Sequence, residues 1–501
     1  MKKTINLLSS FINLFSLVIL LTTLGFNVVL TVSYEQHEIP QLLFHGIKVL
    51  PLLVLFILFF TSLIKLINKK EIDRKLLNKY IFFATAVNII IKIIVVLNFK
   101  IVPGGDQMEV YNIANQFVKN DFQAFLYCNY LARYPQNIAI SYFYSFLVNI
   151  NDSFIFLQVV NTFVLEGIFV IIFMLVKKFS TYKAAIITHL LLSLSIPLLM
   201  LQNLIYGDIY AIFFALLGLY LYLNKKLSIV ILGLLSISMS ILFKFNIGMI
   251  FAIAITIHTL INFKKRNYIV LLILPLLIVP DYLVKNVANN VHGNSDDGNV
   301  PFEYWILMGV EEGFNGVEGF YNNDVMMIFD VNYFSNSTSK PIFQKEIKSR
   351  VGSLLRNPSN AVHFYRMKFM YTFADPTYQL YNYNAQYDVQ NPKYDNLNLK
   401  NGVVIKADLD SRLYTTIFDK RTNDVLYLYS CALLITLLYN ILKKFKLKEQ
   451  GIWMLSNLIS VGFFSYLMIS EIKPRYALSM YFMFFILFGL SLEGRMKDEN
   501  I

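Results

Sequence analysis

Apolar runs of roughly 20 residues recur along the chain, separated by short polar connections, and a helix needs about that length to cross the hydrocarbon core of a bilayer. The runs lie near 11–33, 41–64, 80–100, 153–176, 184–201, 206–223, 227–244, 247–262, 268–284, 423–442, 451–470 and 475–491. The pattern predicts an all-α polytopic membrane protein with about twelve transmembrane helices. The first run, Phe11 to Val32, follows Met1-Lys2-Lys3. It is longer than a signal-peptide core and has no small-x-small site after it, so it reads as a span. A further apolar stretch, 137–150, is too short to cross and is expected to lie on the membrane surface as an amphipathic helix.

Charge gives these spans a direction. Lys69, Lys70, Arg74 and Lys75 follow the second run, and Lys177, Lys178 and Lys183 follow the fourth. Lys225 and Lys226 follow the sixth, Lys264, Lys265 and Arg266 the eighth, and Lys443, Lys444, Lys446 and Lys448 the tenth. Every second connection is therefore basic. The positive-inside rule places these connections, with both termini, in the cytoplasm of a multi-pass cell-membrane protein. Counting 137–150 as a span would invert that register downstream.

Composition agrees. Hydrophobic residues make up 56% of the chain and charged residues 15%, well below the share a soluble domain carries. The net charge of +12 lies in short clusters between apolar runs, which fits the positive-inside rule better than a nucleic-acid-binding face. Two cysteines, Cys128 and Cys431, support neither a disulfide framework nor a CxxC metal site. No Walker A, HExxH or GxSxG pattern occurs, no cofactor is implied, and no His/Asp cluster has metal-ligand spacing, so a divalent metal has no support.

The chain then divides into 1–100 (three spans), 101–152 (first extracytoplasmic loop with juxtamembrane helices), 153–285 (spans four to nine), 286–421 and 422–501 (last three spans and tail). The segment 286–421, rich in Asn, Asp and Tyr, is long enough for a small extracytoplasmic α or α+β domain.

Candidate chemistry gathers at the expected outer helix ends. Asp106 follows Gly104-Gly105 where the third span ends, with Glu109 three residues on. Partial desolvation at such a boundary suits a carboxylate to act as a general base, and the plainer role for Asp106 is a helix N-cap. Asp208, in Tyr206-Gly207-Asp208, has the same two readings: a site for a metal, acceptor or cation, or a cap. Lys473 and Arg475, in Glu471-Ile472-Lys473-Pro474-Arg475-Tyr476, and Lys244, in Phe243-Lys244-Phe245, are basic residues at outer boundaries against the positive-inside trend. They suit phosphate oxygens, or anchor the helices by snorkelling to headgroups. Trp305 is a candidate sugar platform or a packing residue. His363, Arg366 and Lys368 form a solvated basic helix face, or one that touches a phosphate-rich polymer.

Two acids and up to three cations beside lipid are what transfer from a lipid-linked phosphate donor needs. The order of features is similar to that of integral membrane glycosyltransferases of the GT-C superfamily, most of all the bacterial branch related to protein O-mannosyltransferases and the lipid A aminoarabinose transferase. The likeness rests on Asp106, on Ala132-Arg133-Tyr134-Pro135-Gln136, on Tyr206-Gly207-Asp208 and on Arg475-Tyr476, and covers most of 80–285 and 423–491. It departs at Gln136, where the family often has a second Pro, and at the Asp106/Glu109 spacing, where it has an acidic pair. The resemblance implies a GT-C-like fold with Asp106 as catalytic base, Arg475 with Lys473 on the donor phosphate and Asp208 at the acceptor or donor site. Lys244 is a further candidate for the donor phosphate, and Glu109, Arg133, Tyr134, Tyr206 and Trp305 are candidates for substrate contact. The implied partners are a polyprenyl-phosphate sugar donor, a glycopolymer acceptor such as a teichoic acid or surface polysaccharide, and the lipid bilayer. The alternatives are a flippase or transporter of a lipid-linked saccharide, which would favour charges within the spans such as Glu166, and a polysaccharide polymerase or ligase.

Overall fold

The computed structural model describes residues 2–34, 40–44, 49–99, 103, 105–261, 279–280, 282–284, 286–287, 296–313, 316–378, 420–447 and 451–492. Apart from one short hairpin, its regular structure is helical. The first elements are α1 (Lys2–Val29), α2 (Leu50–Asn68) and α3 (Arg74–Phe99), then α4 (Asp106–Val118), α5 (Tyr130–Arg133) and α6 (Ile138–Ile150). A middle group follows: α7 (Phe154–Phe179), α8 (Tyr182–Ser193), α9 (Ile196–Met200), α10 (Asp208–Tyr222), α11 (Leu227–Phe243) and α12 (Phe245–Ile261). Four polar-segment helices come next, α13 (Phe302–Val310), α14 (Asn323–Val331), α15 (Asn336–Arg356) and α16 (Pro358–Phe373). The last are α17 (Lys420–Lys443), α18 (Ile452–Ile469) and α19 (Leu478–Ser491).

Seven helices are long and apolar enough to cross a membrane, or eight if α8 and α9 are one broken span. This is the make-up of a helical membrane protein, with fewer full-length spans among the described residues than the twelve runs predict. The difference has local causes. The run at 184–201 bends by 61° between α8 and α9, where Pro197 has no N–H to give the carbonyl four residues back. The runs at 206–223, 227–244 and 247–262 form helices of 15, 17 and 17 residues, just short of a full crossing. The run at 268–284 lies largely outside the described residues. The first two runs are also trimmed: Leu30–Tyr34 and Pro40–Phe44 pair as antiparallel strands, Leu30 opposite Phe44 and Tyr34 opposite Pro40.

The bundle is graded from centre to edge. In the final span, Pro474–Ser491, 94% of residues are buried, against 11% of an 18-residue stretch within Arg74–Asn98. Phe82, Phe83, Ile90 and Ile94 of α3 are exposed, as are Val54, Leu55 and Leu58 of α2. Rows of exposed apolar side chains on long helices are stable where lipid covers them. With no water to expel, packing and interhelical hydrogen bonds hold such helices together. Asn457 on α18 donates to Asn13 of α1 at 2.8 Å, and Ser16 of α1 donates to Asn457 at 2.8 Å.

Two polar-side clusters complete the fold. In the first, α4 packs against α6, while Ile113, Phe117, Phe125, Leu131 and Ile138 form a separate small core. The expected surface helix at 137–150 is thus half embedded in protein: Ile140, Tyr144 and Leu147 face inward, and Phe146 and Ile150 stay exposed. In the second, α13 to α15 enclose Tyr304, Leu307, Met308, Val325, Phe329 and Phe343.

Candidate active site

The hairpin α10–α11 sets the geometry. A Cβ on Gly218 would lie 2.8 Å from the Gly233 carbonyl oxygen, so the two helices approach as only small residues allow. At the end of the hairpin, a Cβ on Gly207 would collide with the Phe243 carbonyl oxygen. This close approach brings Asp208, the first residue of α10, beside Lys244, the residue after α11. Their side chains pair at 3.6 Å, and both are nearly buried. Gly207 occupies the N-cap position, so Asp208 is not the cap. It still gains from the positive end of the helix dipole.

Tyr206 forms the centre. Lys244 Nζ lies 4.2 Å from its ring centroid, and the Arg475 guanidinium carbon 5.7 Å. Tyr476 meets the same cations at 5.8 and 5.6 Å. Two cations on two aromatic rings are attracted by the ring faces, by about 2 kcal/mol each where water is excluded. Arg475, Tyr206 and Asp208 are all buried. Acids at positions 106, 208 and 471 act electrostatically on Lys244, so the cluster is close to charge balance.

Asp106 joins it from the first polar cluster. Gly105, at φ 52°, is the N-cap of α4, and Asp106 is the first helical residue. The capping role is therefore taken by backbone geometry that glycine allows. The Asp106 carboxylate makes no hydrogen bond or ion pair among the described residues. Both Asp106 and Glu109 are exposed, so the protein itself does not provide the partial desolvation expected at Asp106. Its charge acts on Tyr130, Tyr134, Tyr206, Tyr321 and Tyr476. Gln107, buried beside it, accepts a hydrogen bond from the Ile205 N–H at 2.8 Å and ties the start of α4 to the chain leading into Tyr206.

The Arg133-Tyr134 pair sits on the same side. Tyr130 hydrogen-bonds to Tyr206 and accepts from Asn137 at 2.9 Å, and burial pushes its phenol up. Tyr134 is raised to about 12, chiefly by burial, with Arg133 opposing and Asp106 adding to the shift. Its ring lies 6.3 Å from that of Trp305, which in turn meets Tyr304 edge-on at 4.9 Å. Trp305 is therefore half-buried in an aromatic row that leads away from Tyr134, and packing accounts for most of its surface. Arg133 stacks near Tyr134 and Phe334, both at 5.5 Å.

The segment between α18 and α19 supplies the last pieces. Lys473 lies 5.3 Å from the Phe320 ring and is half-buried. Glu471 is buried, and its N–H bonds to the Trp305 carbonyl at 3.1 Å. The structure corrects the basic face expected on α16. His363 and Arg366 are exposed, and His363 pairs with Glu318 at 3.7 Å, but Lys368 is wholly buried.

Residues the sequence does not single out are thus Gln107 and Tyr130, because a lone Gln or Tyr on a short helix carries no spacing pattern; sequence assigns Lys368 to a helix face and gives Glu471 no role of its own. A separate polar group lies within the spans. Glu166 of α7 pairs with Lys92 of α3 and with His189 of α8 at 3.4 Å, and Tyr80 meets the other His189 nitrogen at 3.1 Å. No group of three or more metal-ligating residues occurs among the described residues. No family model matches the chain, and no curated protein or solved structure is significantly similar to it.

Proposed function

We propose that the protein is a membrane glycosyltransferase of GT-C type, using a polyprenyl-phosphate-linked sugar on the extracytoplasmic face to extend a cell-envelope glycopolymer. The carrying observation is the convergence of Asp208, Lys244 and Arg475 around Tyr206 with the charge of Asp106 acting on the same ring, from four segments far apart in the chain. On this reading the short helices α10 to α12 also traverse the bilayer, the full chain has about twelve spans, and the basic connections are cytoplasmic.

In the step proposed, an acceptor hydroxyl oxygen attacks the anomeric carbon of the donor while Asp106 takes the hydroxyl proton. The bond from that carbon to the phosphate oxygen breaks with its electron pair, leaving polyprenyl phosphate and an inverted sugar. Arg475, Lys473 and Lys244 stabilise the charge gathering on the departing phosphate. Asp208 holds Lys244 in place, and Glu109, Arg133, Tyr134 and Tyr206 line the approach for the acceptor and donor, with Trp305 packed behind Tyr134.

Asp106→Asn is expected to lower transfer in proteoliposomes at least a hundredfold. Arg475→Ala should do the same by weakening leaving-group stabilisation. Envelope sugar content unchanged in both variants, at normal protein level, would sink the reading. The buried Lys92–Glu166–His189 group favours a second one, a transporter of lipid-linked saccharide, because ionisable groups within spans commonly mark translocation paths. Vesicles holding only this protein and a labelled lipid-linked sugar separate the two by whether label is moved or transferred.

A further inference from the structure

We propose that Lys368 is a positioning residue for the phosphate-binding segment, an amino-group clasp that locks residues 470–475 against α13 and α16; its effect on donor binding rests on the glycosyltransferase reading. Lys368 Nζ donates to the Gly309 carbonyl, to Met468 O at 3.1 Å and to Ser470 O at 2.9 Å. One amino group thus reaches three carbonyls. Gly309 lies in the last turn of α13, and Met468 and Ser470 at the end of α18. Helix C-termini leave such carbonyls without intrahelical partners. One side chain therefore caps two helices at once.

The neighbouring backbone completes the clasp. The Glu471 N–H bonds to Trp305 O at 3.1 Å and the Ile472 N–H to Gly319 O at 2.8 Å. Gly319 adopts φ +77°, and a Cβ there would lie 2.7 Å from Lys368 Cε, so glycine is what leaves room for the lysine stem. Residues 471–473 form neither helix nor strand. Their path is fixed by these contacts, and Arg475 follows two residues later at the ring of Tyr206.

The test is Lys368→Met, which keeps the stem and removes the N–H donors, read by amide exchange and by kinetics in proteoliposomes. Loss of these hydrogen bonds should speed exchange of the Glu471 and Ile472 amides about tenfold or more. The donor KM should rise about tenfold or more through misplacement of Arg475, with the acceptor KM unchanged. Wild-type exchange in a folded variant would overturn the clasp; altered exchange with an unchanged donor KM would overturn the positioning role. Gly319→Ala, which crowds the lysine, supplies the same readouts by a second route. Should neither variant fold, native-state exchange of the wild-type protein decides: the 471–472 amides must open together with the end of α16, and independent opening refutes the clasp. Exchange needs no activity, so altered exchange in a protein without transferase activity would refute the functional reading and leave the clasp standing.

Discussion

At the scale of single residues, burial and charge separate what a residue type alone does not. Lys368 and Arg366 are neighbours on one helix, and sequence assigns both to a basic face. The structure buries one and exposes the other. Burial holds the Lys368 amine at about 7, well below its usual 10.5, with the charge of Glu471 opposing the shift. In the unfolded chain this amine stays protonated up to the usual value, so between pH 7 and 10 the unfolded state holds one proton more than the folded state. Stability therefore rises with pH across that window and is lost as pH falls toward 7. The slope is roughly 1.4 kcal/mol per pH unit while the two states differ by a full proton. Thermal unfolding in detergent at pH 7.5 and 8.5 should show this gain in the wild-type protein and its loss in Lys368→Met. An equal response of the two proteins would contradict the burial argument.

Elements were more legible than residues. Hydropathy located the long helices, because a run of apolar side chains with one basic flank has few other solutions in a bilayer. Their ends were less legible. Val29 ends α1 and a strand begins at Leu30, a break within one continuous apolar run. Pro197 marks the bend after α8, inside a run that hydropathy alone counts as one span. The candidate site was half legible: Tyr206-Gly207-Asp208 and Lys244 could each be placed at a helix end, whereas their contact depends on how closely α10 and α11 pack. That closeness gives a prediction. Gly207→Ala must push the Phe243 carbonyl away and so part Asp208 from Lys244. We expect a stability loss of about 1–3 kcal/mol, the usual range for overpacking. A melting temperature equal to that of the wild-type protein would show that the hairpin yields without consequence.

At the scale of the molecule, the question is what keeps α3 on the bundle. Most of its surface is exposed, and Asp106 begins the helix that follows it, so its position governs where the proposed base stands. Lys92 provides the fixed point. It lies in an otherwise apolar run, fully buried, paired with Glu166, 4.2 Å from the Phe169 ring, and its carbonyl accepts from Gln202 at 2.9 Å. Asn88, one turn earlier, donates to Ser193 at 2.7 Å and to Glu166 at 3.3 Å. Sequence singled out Glu166 as an isolated acid; only packing reveals that its partner lies 74 positions away. Removing one member leaves a buried charge without compensation, at about 3–5 kcal/mol, whereas replacing both by apolar residues of similar size is often neutral. Lys92→Met and Glu166→Leu should therefore each destabilise the protein, and the double variant should recover most of the loss. If the double variant is as unstable as the sum of the singles, the pair is not what docks α3. If it is stable yet transfer activity falls, α3 is docked but misaligned, and the buried pair acts as a register for Asp106 rather than as a transport site.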